Sequence, residues 1–185
     1  VDLPLQHVDD EVLRRMHRRS NRAQIEDILT RVRALPEPFL IRTTMIVGFP
    51  GETEAQFQEL LDFIEDQPFD LLGAFPYSPE EGTPAAAFPD QVPEEVKQER
   101  LDALMLRQQA VSLQQNRRLI GRVERVVLEG WDSEAARYVG RTQYQAPDID
   151  GVTYVTGPEG LPEGTFVQVR LTDSAEYDFF GEIVS

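Results

Sequence analysis

Apolar and polar positions along residues 1–120 switch repeatedly between a strand-like and a helix-like period. Residues 1–5 form a short apolar run that predicts a strand. Asp9 or Asp10 is placed to cap a helix carrying Val12, Leu13 and Met16. A second helix is predicted over 22–35, with Ala23, Ile25, Ile28, Leu29, Val32 and Leu35 near helical spacing and Pro36 and Pro38 ending it. Residues 39–47 are rich in β-branched side chains and predict a strand. Gly48-Phe49-Pro50-Gly51 reads as a turn. Thr53 with Gln56 three residues later is a capping box for a helix carrying Phe57, Leu60, Leu61 and Ile64. Another strand is predicted over 69–75.

Strands joined by helices of this length pair in parallel. Three strands are too few to close a barrel, and parallel sheets are covered on both faces. Residues 1–120 therefore read as a piece of a larger α/β layer. The start within a strand signal predicts a chain cut from a longer protein, and bare sheet edges predict self-association. After a loop over 76–90 rich in Pro and Gly, Pro93 suits the first turn of a helix running to about Ile120, where Gly121 ends it.

The pattern then changes. Strand signals recur at 122–128, 137–142, 152–156, 166–171 and 179–184, separated by turn residues that include Gly130, Asp150-Gly151, Gly157-Pro158 and Asp173-Ser174. Val167, Val169 and Leu171 alternate with Gln168, Arg170 and Thr172, the mark of a half-buried strand. Five short strands in 121–185 predict a small closed or partly open barrel of the OB type.

Charge sharpens this division. The chain of 185 residues carries a formal net charge of −15. Residues 1–120 hold 13 Lys/Arg against 21 Asp/Glu, and residues 121–185 hold 5 Arg against 12 Asp/Glu. The barrel, at −7, is the more acidic part per residue, which disfavours RNA as a partner. The chain has no cysteine, so it offers no disulfide, zinc-thiolate or iron–sulfur ligand, a usage that fits a cytoplasmic protein. No apolar run reaches membrane-spanning length, and residues 1–5 lack the basic and apolar regions of a signal peptide.

Few residues suggest chemistry. The run Ile46-Val47-Gly48-Phe49-Pro50-Gly51-Glu52-Thr53 is a strand, a glycine turn and a capped helix, placed where parallel α/β folds bind cofactors. Gly48 admits a flat ligand to the backbone, or merely supplies the φ of a tight turn. Arg42, among apolar neighbours, needs an anion, either a ligand carboxylate or an internal acid. Gln6 and His7 end the first strand at the same face. Gln6 can bond a sugar hydroxyl, and His7 reads equally as a structural histidine. His7 and His17 lie on different elements and make no metal site. The run from Arg14 to Arg19 reads as a solvated helix face. No G-x-S-x-G, Walker A or G-x-G-x-x-G sequence occurs.

Four segments in order resemble the radical S-adenosylmethionine (SAM) methylthiotransferases. They are PLQHVDDEVLRRMHR at 4–18, IVGFPGET at 46–53, FPYSPEEGTPAA at 75–86, and the barrel at 121–185, which is similar to a TRAM domain. Ile41-Arg42-Thr43-Thr44, Ala146-Pro147-Asp148-Ile149-Asp150-Gly151, and Ala175-Glu176-Tyr177-Asp178 with Gly181-Glu182 resemble the RimO branch, which modifies a ribosomal protein, more than the tRNA-modifying MiaB branch. The resemblance implies a fold: an α/β fragment, holding the last strands and helices of a partial TIM-like barrel with a long closing helix (1–120), then an all-β five-stranded OB-like TRAM barrel (121–185). It also implies an activity, addition of a methylthio group to the β-carbon of an aspartate in protein twelve of the small ribosomal subunit. SAM and two [4Fe–4S] clusters are the implied cofactors, the clusters ligated outside this cysteine-free chain, which is expected to be inactive alone.

By the same analogy Gln6 faces the ribose, Arg42 the methionyl carboxylate or a nearby acid, and the backbone of Val47-Gly48 and of Phe75 to Tyr77 walls the adenine. An acidic barrel suits a basic ribosomal protein, with Asp148, Asp150, Glu176 and Asp178 as docking residues. The alternatives are a MiaB-type tRNA adenosine methylthiotransferase, which a basic stripe on the barrel favours, and a non-catalytic RNA- or protein-binding module. The module predicts exposed aromatics among Trp131, Tyr138, Tyr144, Tyr154 and Phe166.

Overall fold

Three strands of the first segment lie side by side in parallel: β1 (Asp2–Gln6), β2 (Arg42–Val47) and β3 (Leu71–Pro76), in that order. This computed structural model describes residues 1–36 and 39–184, so Pro38, expected to help end the second helix, lies outside the described residues. Four helices accompany the sheet: α1 (Asp10–Arg15), α2 (Arg22–Arg33), α3 (Glu54–Asp66) and α4 (Glu94–Arg117). Asp9 caps α1, while Asn21–Gln24 and Thr53–Gln56 form capping boxes on α2 and α3. Thr43, Met45 and Val47 of β2 point into the helical layer, where the core gathers Leu13, Ile25, Leu29, Leu60, Phe63, Ile64, Phe69 and Leu104. Arg42, Thr44 and Ile46 point to the other face and are half-buried.

β2 starts three residues later than its β-branched run predicts. The Ile41 amide donates to the Asp70 carboxylate at 2.8 Å instead of joining the ladder, and Phe39 is exposed. Hydrophobicity marked the run, but a side-chain acceptor set its beginning.

The second segment forms a closed barrel of β4 (Val123–Asp132), β5 (Arg137–Thr142), β6 (Thr153–Thr156), β7 (Phe166–Ser174) and β8 (Phe179–Ile183), in the order β4-β5-β6-β8-β7. Every pairing is antiparallel except β6 with β8. Val126, Leu128, Tyr138, Val155, Val169, Leu171 and Phe179 fill it. Gly130, expected in a turn, sits within β4 at a shift of register between Leu128 and Gly130, so β4 continues to Asp132. A second shift between Leu171 and Asp173 carries β7 to Ser174 in the same way. Residue contacts group the chain into two units, Val1–Val111 and Ser112–Ser185, a division that falls within α4.

Candidate cofactor cleft and the acidic end of the barrel

A cleft of about 340 Å³ opens at the carboxyl ends of the parallel strands, the position at which open α/β sheets bind ligands. Ile46, Phe49 and Tyr77 line one side, Gln6 and the residues after α1 another, and Thr83 to Phe88 a third. Phe49 meets Tyr77 edge-on at 5.1 Å and Phe88 at 6.4 Å. The Tyr77 amide donates to the Val47 carbonyl at 2.8 Å, carrying the β2–β3 pairing one residue past Pro76. Its buried hydroxyl has no protein partner among the described residues. Gln6 takes a left-handed backbone (φ 72), unusual for a non-glycine residue, just past an irregularity in the β1–β2 register.

Not every expected residue reaches this cleft. Gln6 and Tyr77 line it. Val47 is wholly buried in the core and does not line the cleft. Gly48 has φ 70, as a tight turn requires, but the space beside it is filled by this chain's own Lys97. A Cβ there would lie 2.4 Å from Lys97 Cγ. What approaches the glycine is an aliphatic stem, whose ammonium then sits 5.5 Å over the Tyr77 ring. Phe75 shares the register of Ile46 but is 60 % exposed and stands outside the cleft. Arg42 is on the face of Ile46 but four residues nearer the strand's amino end, roughly 13 Å along the sheet.

The turn holding the cleft is itself held by residues that the sequence reading passed over. The Glu52 side chain is completely buried, and its Oε2 accepts the Gly48 amide at 2.6 Å and the Phe49 amide at 3.1 Å. Arg100 of α4 reaches Glu52 Oε1 at 3.2 Å and the Glu52 carbonyl at 3.1 Å. Burial pushes the Glu52 carboxyl up to about 7, against the opposing pull of Arg100 and the two amides. His7 lies nearby and is fully buried. Its Nδ1 accepts the Asp9 amide at 3.0 Å, and burial depresses its pKa to about 4, so the ring is neutral and structural. In the arginine-rich run, Arg14 is a solvated residue paired with Glu11. Arg15 instead binds both oxygens of Asp90, lies 5.3 Å from the Phe88 ring and lines the cleft. The only sequence signal for the Glu52 clamp was an acid placed four residues after Gly48.

At one end of the barrel the structure brings the four expected docking carboxylates together on two adjoining loops. The Val152 amide donates to Asp178 at 2.8 Å, and a Cβ on Gly151 would lie 2.1 Å from the Tyr177 carbonyl oxygen. Only glycine allows that approach. Asp148 and Glu176 are exposed, whereas Asp150 accepts the Ala146 amide, so Asp150 and Asp178 hold the loops. Among the aromatic candidates, Tyr138 is core, its hydroxyl accepting from the Leu161 amide and donating to the Pro158 carbonyl. Tyr154 stacks on Phe180 beneath the Arg137 guanidinium, and the exposed Phe166 is capped by Arg125 at 4.1 Å. No group of His, Cys, Asp or Glu among the described residues is arranged to hold a metal, and no helix there is long and apolar enough to cross a membrane.

Comparison with known proteins covers both units. Residues 1–64 match the radical SAM superfamily, and residues 120–184 match the TRAM domain. The chain is 50 % identical over its whole length to the ribosomal protein uS12 methylthiotransferase RimO of Geobacter sulfurreducens, covering 41 % of that protein. It is 52 % identical to the RimO of Syntrophotalea carbinolica over 99 % of the chain and 40 % of that protein. Against the RimO of Bdellovibrio bacteriovorus it is 48 % identical, again over 99 % of the chain and 40 % of the relative. The chain belongs to the RimO family. It spans about two fifths of the length of these curated relatives. Within the RimO frame, the cleft fits part of a nucleoside-bearing cofactor: it has aromatic walls, an amide at Gln6 and a buried hydroxyl awaiting a partner. The chain has no cysteine to offer an iron–sulfur cluster.

Proposed function

We propose that this chain works as part of a radical SAM methylthiotransferase that modifies an aspartate of small-subunit ribosomal protein uS12. The observation that carries this reading is the near-50 % identity to RimO proteins running unbroken through both units. The α/β unit supplies one wall of the SAM pocket, where Gln6 and Tyr77 offer polar contacts and Phe49 a flat apolar surface. When bound, SAM and the clusters supply the radical chemistry; this chain's residues bind, orient and shield. The clusters are ligated outside these 185 residues, so the chain alone has docking and partial cofactor contacts without turnover. The barrel docks the basic substrate protein through its acidic end, with Asp148, beside Arg141, and Glu176 the exposed carboxylates.

A second reading has one observation in its favour. On the β4–β7 face, Arg125 stands opposite Gln168 and over the Phe166 ring, with Arg170 two residues further along β7, a short basic and aromatic strip of the kind that contacts RNA. Binding of the chain to purified uS12 and to a tRNA anticodon stem at matched salt separates the two. Preference for uS12, weakened by salt and by Asp148→Lys with Glu176→Lys, is the expected result. Preference for the RNA overturns the ribosomal-protein assignment.

A further inference from the structure

The acidic end of the barrel carries an oddity that charge does not explain. Ile149 is 76 % exposed, the most exposed of the large apolar side chains, and Tyr177, on the adjoining loop, is 41 % exposed. Neither packs in the barrel core. The backbone that presents them is heavily tied down. The Gln145 side chain accepts the Thr142 amide at 3.0 Å and the Thr153 hydroxyl at 2.7 Å, and donates to the Gly151 carbonyl at 2.8 Å. Asp150 closes the turn on Ala146, and Asp178 pins Val152. The Asn116 amide donates to the Ala175 and Glu176 carbonyls at 3.1 and 3.0 Å. Asp148 sits in the left-handed region (φ 60), immediately before Ile149. A rigid loop that spends its polar groups on holding an isoleucine in water gains nothing for folding. A rigid apolar centre within a polar rim is how binding surfaces are built.

We infer that Ile149 and Tyr177 are the apolar anchor of this docking site, and that their partner is a polypeptide segment with an apolar side chain flanked by Lys or Arg. The apolar side chain packs on Ile149 and Tyr177 while its basic neighbours meet Asp148 and Glu176. The inference rests on the reading that the acidic end docks a basic protein, and it divides the labour there. Two carboxylates attract, two others hold the loops, and the isoleucine–tyrosine pair selects. Charge complementarity commits the site to this occupant, because RNA and a second copy of a chain at −15 both present the wrong sign.

The test uses the whole chain, with two peptides of equal length and charge, one of Lys and Leu and one of Lys and Ser, read by fluorescence anisotropy at low and moderate salt. The chain is expected to prefer the Lys–Leu peptide about tenfold, the effect of burying one aliphatic side chain. Ile149→Ser or Tyr177→Ser removes the preference and leaves Lys–Ser binding and its salt dependence intact. Asp148→Asn with Glu176→Gln weakens both peptides and flattens the salt dependence, leaving the preference in place. Trp131 fluorescence checks that each variant keeps its barrel. An unchanged peptide preference in both serine variants overturns the anchor. So does a dimer in sedimentation velocity that Ile149→Ser dissolves, since a second copy is then the occupant. With uS12 as ligand, binding indifferent to Ile149→Ser overturns the anchor and leaves the docking reading standing. Absence of uS12 binding alongside the expected peptide preference supports the anchor and overturns the partner.

Discussion

Replacing Glu52 with Gln isolates the energetic consequence of burying an acid beneath the glycine turn. The Glu52 side chain is wholly buried, and burial raises its pKa from 4.5 to about 7. The folded state therefore holds this proton more tightly than the unfolded chain does. Its contribution to stability is fully present below the unfolded value and is lost as pH rises through about 7. Between about pH 5 and about pH 8, linkage makes this loss about 2.5 kcal/mol. Other groups slope with pH as well, and His7 does so in the opposite sense, so the informative quantity is the wild-type stability minus that of Glu52→Gln. Urea unfolding followed by far-ultraviolet circular dichroism reads the α/β unit through its helices. Fluorescence of Trp131, the chain's single tryptophan, reads the barrel as an internal control. The difference is expected to fall by about 2.5 kcal/mol over that window in the helical signal and to stay level in the tryptophan signal. A helical difference that is level with pH refutes the reasoning. It would mean that Arg100 and the two turn amides outweigh burial and keep the carboxylate ionised throughout.

Three further outcomes follow from the same geometry. His7→Asn keeps an acceptor near the Asp9 amide but removes a base whose folded pKa is depressed from 6.5 to about 4. Stability that the wild type loses as pH falls from 6.5 towards 4, about 3 kcal/mol at the limit, is retained by the variant in acid urea titrations. Gly48→Ala combines a left-handed backbone with a Cβ that meets the Lys97 stem, so a loss of about 1–3 kcal/mol is expected in thermal unfolding. Tyr77→Phe removes a hydroxyl with no protein partner among the described residues. It should leave the melting temperature within a degree or two of wild type, yet weaken adenosine binding measured by titration calorimetry in the chain about tenfold.

Much of this fold was legible because its signals are local. The capping boxes at Asn21 and Thr53, the alternation through Val167, Val169 and Leu171, and the glycine turn at 48–51 each rest on a few adjacent residues. What escaped the sequence depended on distant partners. Asp70 stops β2 from starting at 39, and nothing in the run itself announces it. Gly130 and Asp173 looked like turns, because a glycine or an acid marks a bulge and a turn alike until the opposite strand is known. A cleft does open at the end of the sheet where Gln6 and the glycine turn lie. The Arg100–Glu52 clamp and the Lys97 stem come from a helix some fifty residues on, and only folding shows that they meet the turn. Arg15 was hidden among neighbouring arginines, since composition gives no hint which member of a basic run finds Asp90.

The order of the barrel strands also bears on how the protein is made. β8, the last strand, pairs with β6 on one side and β7 on the other. It is the keystone of a ring rather than its margin. Until it emerges, β6 and β7 each present an open edge, and the α/β segment, made earlier, must carry an unfinished ring during synthesis. A stop codon or protease cut just before Phe179 would therefore not trim the barrel but break it open in the middle, leaving a sticky four-stranded intermediate.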